Sequence, residues 1–415
     1  MSRRKGKSWG IAVLTLAAVL SAVALASADV RFSDRFSELI TQILEGGCPQ
    51  LSPGSSATLA GVCGATAGIP NESASSVSPG TVAVLRPQEL LFRRAEELRN
   101  GSAGDASSLG NRSGDAATGL GGRLGLFAAY EFERYDKDVT RFESGFESSQ
   151  HAGIFGIDYR FDSWLLGVAF TVGKVSGEYD AGGGTFFTTY GGPTVYLSFF
   201  PIRRLFIDVV GSYIHKDHEF NRNVELFEGV NLIVAGSHRG EPTENEFRFA
   251  VNSGYDFSLG SLTIGPRLGL TYAHNEMRGY TENDVSDRDV FSGARTGLEL
   301  VFDDQQWDSL TLGVGVHASY AISTPWGVIV PQGTATYVHE FLGDQRVVYF
   351  RFAEDAGRAR FRFKTDPPDR NYGIINVGVV WQMVRDIAPY LNYRVLIGYE
   401  DHASHTVTAG LRVQF

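Results

Sequence analysis

Apolar and polar residues alternate one for one through most of the last three hundred positions of this chain, in segments of ten residues or more. In LTIGPRLGLTY, Leu262, Ile264, Leu268, Leu270 and Tyr272 alternate with Thr263, Gly265, Arg267, Gly269 and Thr271. In YLNYRVLIGY, Leu391, Tyr393, Val395, Ile397 and Tyr399 alternate with Asn392, Arg394 and Gly398. Trp164, Leu166, Val168, Phe170 and Val172 oppose Gly167, Ala169, Thr171 and Gly173, while Phe155, Ile157, Tyr159 and Phe161 oppose Gly156, Asp158 and Arg160. A period of two marks strands with two unlike faces. Here one face is apolar throughout and the other mixes glycine with isolated charges. A soluble sandwich would cover its outer face with Lys and Glu instead. The pattern predicts an all-β, antiparallel transmembrane β-barrel, with lipid against the apolar face and water or a plug against the other.

Tight connections near Asp162, Pro201, Gly260, Pro325 and Arg385 alternate with long polar ones at about 220 to 243, 281 to 307 and 342 to 371. Short turns belong to the periplasm and long loops to the cell exterior. With that alternation the chain reads as about twelve strands: 123–135, 150–161, 164–179, 186–200, 203–219, 244–258, 261–280, 308–322, 326–341, 372–384, 387–400 and 404–415. The apolar piece LELVFD, at 298 to 303, fits this count as an extracellular extension.

The segments before the strands differ in kind. Residues 1–28 combine Arg3, Arg4, Lys5 and Lys7 with an apolar run from Trp9 to Leu25 and small residues at Ala26 and Ala28, which predicts a signal peptide cut after Ala28. No later stretch approaches the twenty apolar residues of a membrane helix. Residues 29–85 are rich in Ser, Gly, Ala and Pro and hold the only cysteines, Cys48 and Cys63, which an exported chain can pair. That bridge would close a short loop and contribute about 3 kcal/mol. Residues 86–118 open with RPQELLFRRAEELRNG, where Pro87 suits a first helical turn and Gly101 a stop, and end in a Gly/Ser linker. The barrel domain is expected over 119–415.

Composition agrees with many short strands: 49 Gly, 28 Phe and 17 Tyr accompany only 3 Met. A formal net charge of −10 argues against nucleic acid as a partner.

The stretches GIDYRFDSWLLGVAF, GYDFSLGSLTIGPRLGLTYAHNEMRGYTE, DDQQWDSLTLGVGVHASYAISTPWGVIVPQ, TYVHEF, TDPPDRNYGIINVGVV and YEDHASHTVTAGLRVQF resemble the translocator β-domain of autotransporters, the type V secretion proteins of Gram-negative outer membranes. The resemblance spans roughly 85 to 415. It implies a twelve-stranded, monomeric barrel in outer-membrane lipid with an α-helix threading the lumen before the first strand. It also implies periplasmic chaperones and the outer-membrane assembly machinery as partners, the latter reading a last strand in which Leu411, Val413 and Phe415 lie on one face. Usual members carry a long passenger, whereas about 57 residues stand here between the expected cleavage site and the helix.

Candidate chemistry is sparse. No serine-hydrolase, HExxH or phosphate-loop motif occurs, so no catalytic residue, metal or cofactor is expected. The HKDHEF cluster, with His215, Asp217, His218 and Glu219, reads as a solvated strand extension rather than a metal site. Lumenal positions Glu131, Glu133, Asp158, Arg160, Asp208, Arg267, Arg394 and Arg412 offer charges of both signs. Charges in a narrow barrel must be paired, and the lumenal helix offers Arg93, Arg94, Glu96, Glu97 and Arg99. A surface adhesive role for the long loops, a passive pore and a barrel hydrolase stand beside the translocator reading.

Overall fold

The computed structural model describes residues 123–202, 204–228, 231–286, 296–383 and 387–415. The signal segment, Cys48, Cys63 and the expected helix at Pro87 to Asn100 lie outside the described residues. Among those described, twelve long strands form a closed antiparallel barrel: β1 Leu124–Lys137, β2 Phe146–Arg160, β3 Trp164–Tyr179, β4 Gly184–Ile202, β5 Leu205–Glu228, β6 Thr243–Tyr255, β7 Leu262–Met277, β8 Gln305–Tyr320, β9 Gly327–Glu340, β10 Asn371–Met383, β11 Ile387–Ile397 and β12 His402–Gln414. Closure comes from the pairing of β1 with β12, in which Gly125 faces Gln414 and Lys137 faces His402. The barrel wall itself therefore has no open edge among the described residues.

The register sets the width. A path perpendicular to the strands from Glu131 of β1 runs through Ala152, Gly173, Tyr190, Lys216 and Glu244 to Met277 of β7. The opposite way round, it runs through Thr408, Asn392, Gly378, Gln332 and Ser319 to Thr263 of the same strand. The shear is therefore the 14 residues from Thr263 to Met277. With twelve strands about 4.8 Å apart, this gives a tilt of about 40° and a backbone diameter of about 24 Å.

The two faces follow the sequence alternation. Trp164, Leu166, Val168, Phe170 and Val172 are exposed on the outer wall, while Leu165, Ala169 and Thr171 are buried on the inner one. At the short-turn end the apolar band finishes in exposed Phe161, Trp164, Phe257, Tyr320, Trp326 and Phe415. At the other end, five of the six hairpins carry an outward Tyr–His cluster. Tyr130 and Tyr393 hydroxyls bond the Nδ1 of His151 and His405 at 2.6 and 2.7 Å. Tyr213 with His215, Tyr272 with His274, and Tyr337 with His339 each share one acceptor, Asn245, Asp308 and Asn371 respectively. Aromatic bodies with satisfied polar tips suit a boundary between lipid and water.

Inside, glycine makes room for rings. The Tyr196 ring of β4 lies over Gly167 of β3, and its hydroxyl donates to Asp158 of β2 at 2.9 Å. A Cβ on Gly167 would stand 2.2 Å from that ring, and the same relation links Gly173 to Tyr190 and Gly410 to Tyr390. This close approach explains why glycine and aromatics are abundant together. Gly167→Leu is expected to displace Tyr196, break its bond to Asp158 and cost about 1–3 kcal/mol. Thermal unfolding of the purified barrel would show this, and an unchanged melting curve would count against the packing argument.

The long connections are more structured than their polarity suggests. β5 runs 24 residues, and strand Asn231–Gly240 folds back on its outer half. Tyr280–Thr281, Leu300–Phe302, Val347–Phe352 and Phe361–Lys364 form a separate four-stranded sheet. It takes in Leu300–Phe302, half of the LELVFD piece, which is thus an extension beyond the barrel. The reason is again alternation, because Val348, Phe350 and Phe352 are buried on one side of their strand. Rings link this sheet to the inward face of the wall: Phe220 lies 6.5 Å from Tyr280, Tyr280 stacks on Phe302 at 4.8 Å, and Phe302 lies 5.9 Å from Phe350. Lys137 of β1 also reaches Asp366 of the β9–β10 connection at 2.6 Å. The sheet therefore caps the long-loop mouth.

Candidate functional site

Alternation along β1 turns Glu131 and Glu133 inward, where both are buried. Arg394 of β11 approaches them at 3.9 and 3.8 Å across β12. Residues of β12 fill the space between: Thr408 donates to Glu131 at 3.0 Å, Ser404 donates to Glu133 at 2.5 Å, and Arg394 donates to Thr406 at 3.0 Å. Three strands, one on one side of the closing seam and two on the other, thus share one polar cluster.

The other inward positions are spread round the wall. Asp158 and Asp208 are buried on β2 and β5. Arg267 pairs with Asp256 at 2.7 Å and covers the Phe206 ring at 5.0 Å. Arg412 donates to Gln414 at 2.6 Å. Arg160, near the short-turn end, is half-buried. The expected partners on the helix, Arg93, Arg94, Glu96, Glu97 and Arg99, lie outside the described residues.

A second inward cluster was not anticipated. Lys216 of β5 sits between Glu244 and Glu246 of β6 at 2.6 and 2.8 Å, and Arg248 bonds the far side of Glu246 at 2.5 Å. His218 contacts Glu244 at 3.2 Å and Thr188 at 2.9 Å. Strand alternation splits HKDHEF, sending His215 and Asp217 outward and Lys216 and His218 inward. Among the described residues no group of three His, Cys, Asp or Glu side chains could hold a metal ion. The alternating Glu244, Glu246 and Arg248, facing Lys216 after a hairpin, was the available signal.

Outside the membrane band, the cap has its own buried charges. Arg222 donates twice to Glu282, with the Nε bond at 2.9 Å, and once to the Leu298 carbonyl at 3.0 Å. Burial, reinforced by the Arg222 cation, holds the His238 imidazole well below its usual range, so it stays neutral beside Thr296. Burial raises the Glu143 carboxyl against the opposing pull of Lys137.

A closed, sheared twelve-strand barrel with an apolar band outside and charges inside defines an outer-membrane β-barrel protein. The autotransporter beta-domain family model matches residues 126–394, and the chain belongs to that family. The structure is similar to the translocator domain of autotransporter NalP from Neisseria meningitidis, with a TM-score of 0.54, 11% identity, and coverage of 81% of this chain and 100% of that one. The beta domain of the Bordetella autotransporter BrkA gives a TM-score of 0.47 at 14% identity over 71% of this chain and 100% of that one. The transport unit of AIDA-I from Escherichia coli gives 0.45 at 13% identity over 80% and 100%. No curated protein matches the chain significantly. The protein is an autotransporter translocator barrel of type V secretion, resident in the outer membrane, a transport domain without catalytic function.

Proposed function

We propose that the lumen holds the helix at Pro87 to Asn100, and that the barrel delivers residues 29–85 to the cell surface as its passenger segment. The supporting observation is the inner wall, which carries Glu131, Glu133, Asp158 and Asp208 together with Arg267, Arg394 and Arg412. Side chains on both sides of a backbone cylinder about 24 Å wide leave a bore of about 12 Å, the width of an α-helix with its side chains. Arg93, Arg94 and Arg99 would meet the carboxylates, and Glu96 and Glu97 the guanidinium groups. A cysteine placed in 29–85 and probed on intact cells with a membrane-impermeant maleimide is expected to label. Labelling only after the outer membrane is permeabilised would overturn the reading.

Phe415 belongs to the same proposal. Its backbone N–H donates to the Leu124 carbonyl at 2.8 Å, and its ring lies 46% exposed at the periplasmic rim. Full burial of such a ring stabilises by only about 1.5–3 kcal/mol, and half-burial by less. Phe415→Ala should therefore barely affect the stability of the finished barrel yet lower the amount assembled in cells, if the ring serves the assembly machinery. Normal levels of heat-modifiable barrel in the outer membrane would refute that role.

A further inference from the structure

The cap sheet has a cationic outer face. Val347–Phe352 and Phe361–Lys364 pair antiparallel, with Val347 opposite Lys364 and Tyr349 opposite Arg362. Alternation turns Val348, Phe350, Phe352 and Phe363 to the buried side. It leaves Arg362 and Lys364 exposed, and Arg358 and Arg360, in the connection before the strand, are exposed as well. The stretch RARFRFK, 358–364, thus carries four cations and no acid in a chain whose net charge is −10. Arg360 lies 4.0 Å over the Tyr349 ring and also pairs with Asp303. Among the described residues Arg358, Arg362 and Lys364 form no ion pair, and Phe361–Lys364 is the last strand of its sheet.

We propose that this face binds an extended acidic polysaccharide, a sulfated or carboxylated glycan outside the cell. On the strand, Arg362 and Lys364 stand about 6.6–7 Å apart, and Arg358 and Arg360 extend the cationic surface along the connection before it, a spread of like charge that suits a polymer with anionic groups repeated along its length. Clusters of Lys and Arg of this size bind polyanions. The buried side of the sheet rests on the ring chain from Phe350 to Phe220. The cationic side therefore points to the medium, over the mouth and away from the lipid-facing wall. Single-stranded nucleic acid needs exposed aromatic platforms for its bases. Here Phe363 is turned inward and Tyr349 is covered by Arg360.

The test uses the full-length folded protein in neutral detergent on immobilised heparin, a sulfated polysaccharide, at physiological ionic strength. Retention with elution by salt is expected, with no retention on neutral dextran. The variant Arg358→Gln/Arg362→Gln/Lys364→Gln, whose changes are all on exposed side chains, should bind heparin roughly tenfold more weakly or worse, as loss of three screened ion contacts would give. Its folding is checked by gel mobility of unboiled samples. A wild-type protein that passes through heparin, a folded variant that binds as well as wild type, or equally tight binding to DNA or to vesicles of anionic lipid would overturn the assignment.

Discussion

Removal of residues 29–100 is expected to leave a barrel that still inserts but conducts ions severalfold better in planar bilayers than the full-length protein. The twelve strands close through backbone pairing alone, from Leu124 against Tyr159 on one side to Gly125 against Gln414 on the other. Nothing before β1 is needed to complete that ladder. What the deletion changes is the bore. The inward carboxylates and guanidinium groups would line water in place of helix side chains, solvated but no longer paired across the lumen. The cap sheet is present in both proteins, so it does not account for a difference between them. The shortened barrel should also melt at a lower temperature. Equal conductance would mean that residues 87–100 lie outside the lumen, and the proposal for them would fall.

Replacing Lys216 with Met is expected to be the most damaging single change in the wall. Its ammonium lies between Glu244 and Glu246, and all three side chains are at most 4% exposed. Without the cation, two neighbouring carboxylates would face each other in a poorly hydrated site. Breaking a buried pair in this way costs about 3–5 kcal/mol, because Arg248 and His218 still touch Glu246 and Glu244 but neither stands between the two carboxylates as the ammonium does. The double variant Lys216→Met/Glu244→Gln removes one charge of each sign, leaves Glu246 paired with Arg248 and should recover most of the loss. Thermal midpoints of heat modifiability measure both. A single variant as stable as wild type, or a double variant no better than the single, would show that the cluster is more hydrated or more adaptable than its geometry implies.

The sequence carried most of the architecture, since a period of two is a local property. The alternation of Leu268 and Leu270 with Arg267 and Gly269 assigns faces without reference to any other strand. The expected strands 164–179 and 387–400 correspond to Trp164–Tyr179 and Ile387–Ile397, and the LELVFD piece lies beyond the barrel as expected. Even the outward histidines had a partial signal, in Tyr–x–His at 213–215, 272–274 and 337–339. The polarity of 342–371 hid its strands, because VVYFRF and RFRFK spend half their residues on an exposed face.

Other features depend on which residues of distant strands come level. Glu131 meets Arg394 only because β1 closes on β12 and β11 follows it, and Lys216 meets Glu244 only in the register that aligns β5 with β6. The 14-residue shear, and with it the width of the lumen, is a sum over all twelve registers and is written in no one segment. The cap likewise brings the β7–β8 and β9–β10 connections into one sheet, with Val301 opposite Arg351. Local periodicity determined that this chain is a barrel and which face of each strand meets lipid. Tertiary closure decided which charges pair inside it and what covers its mouth, because those contacts are made between residues that the sequence keeps far apart.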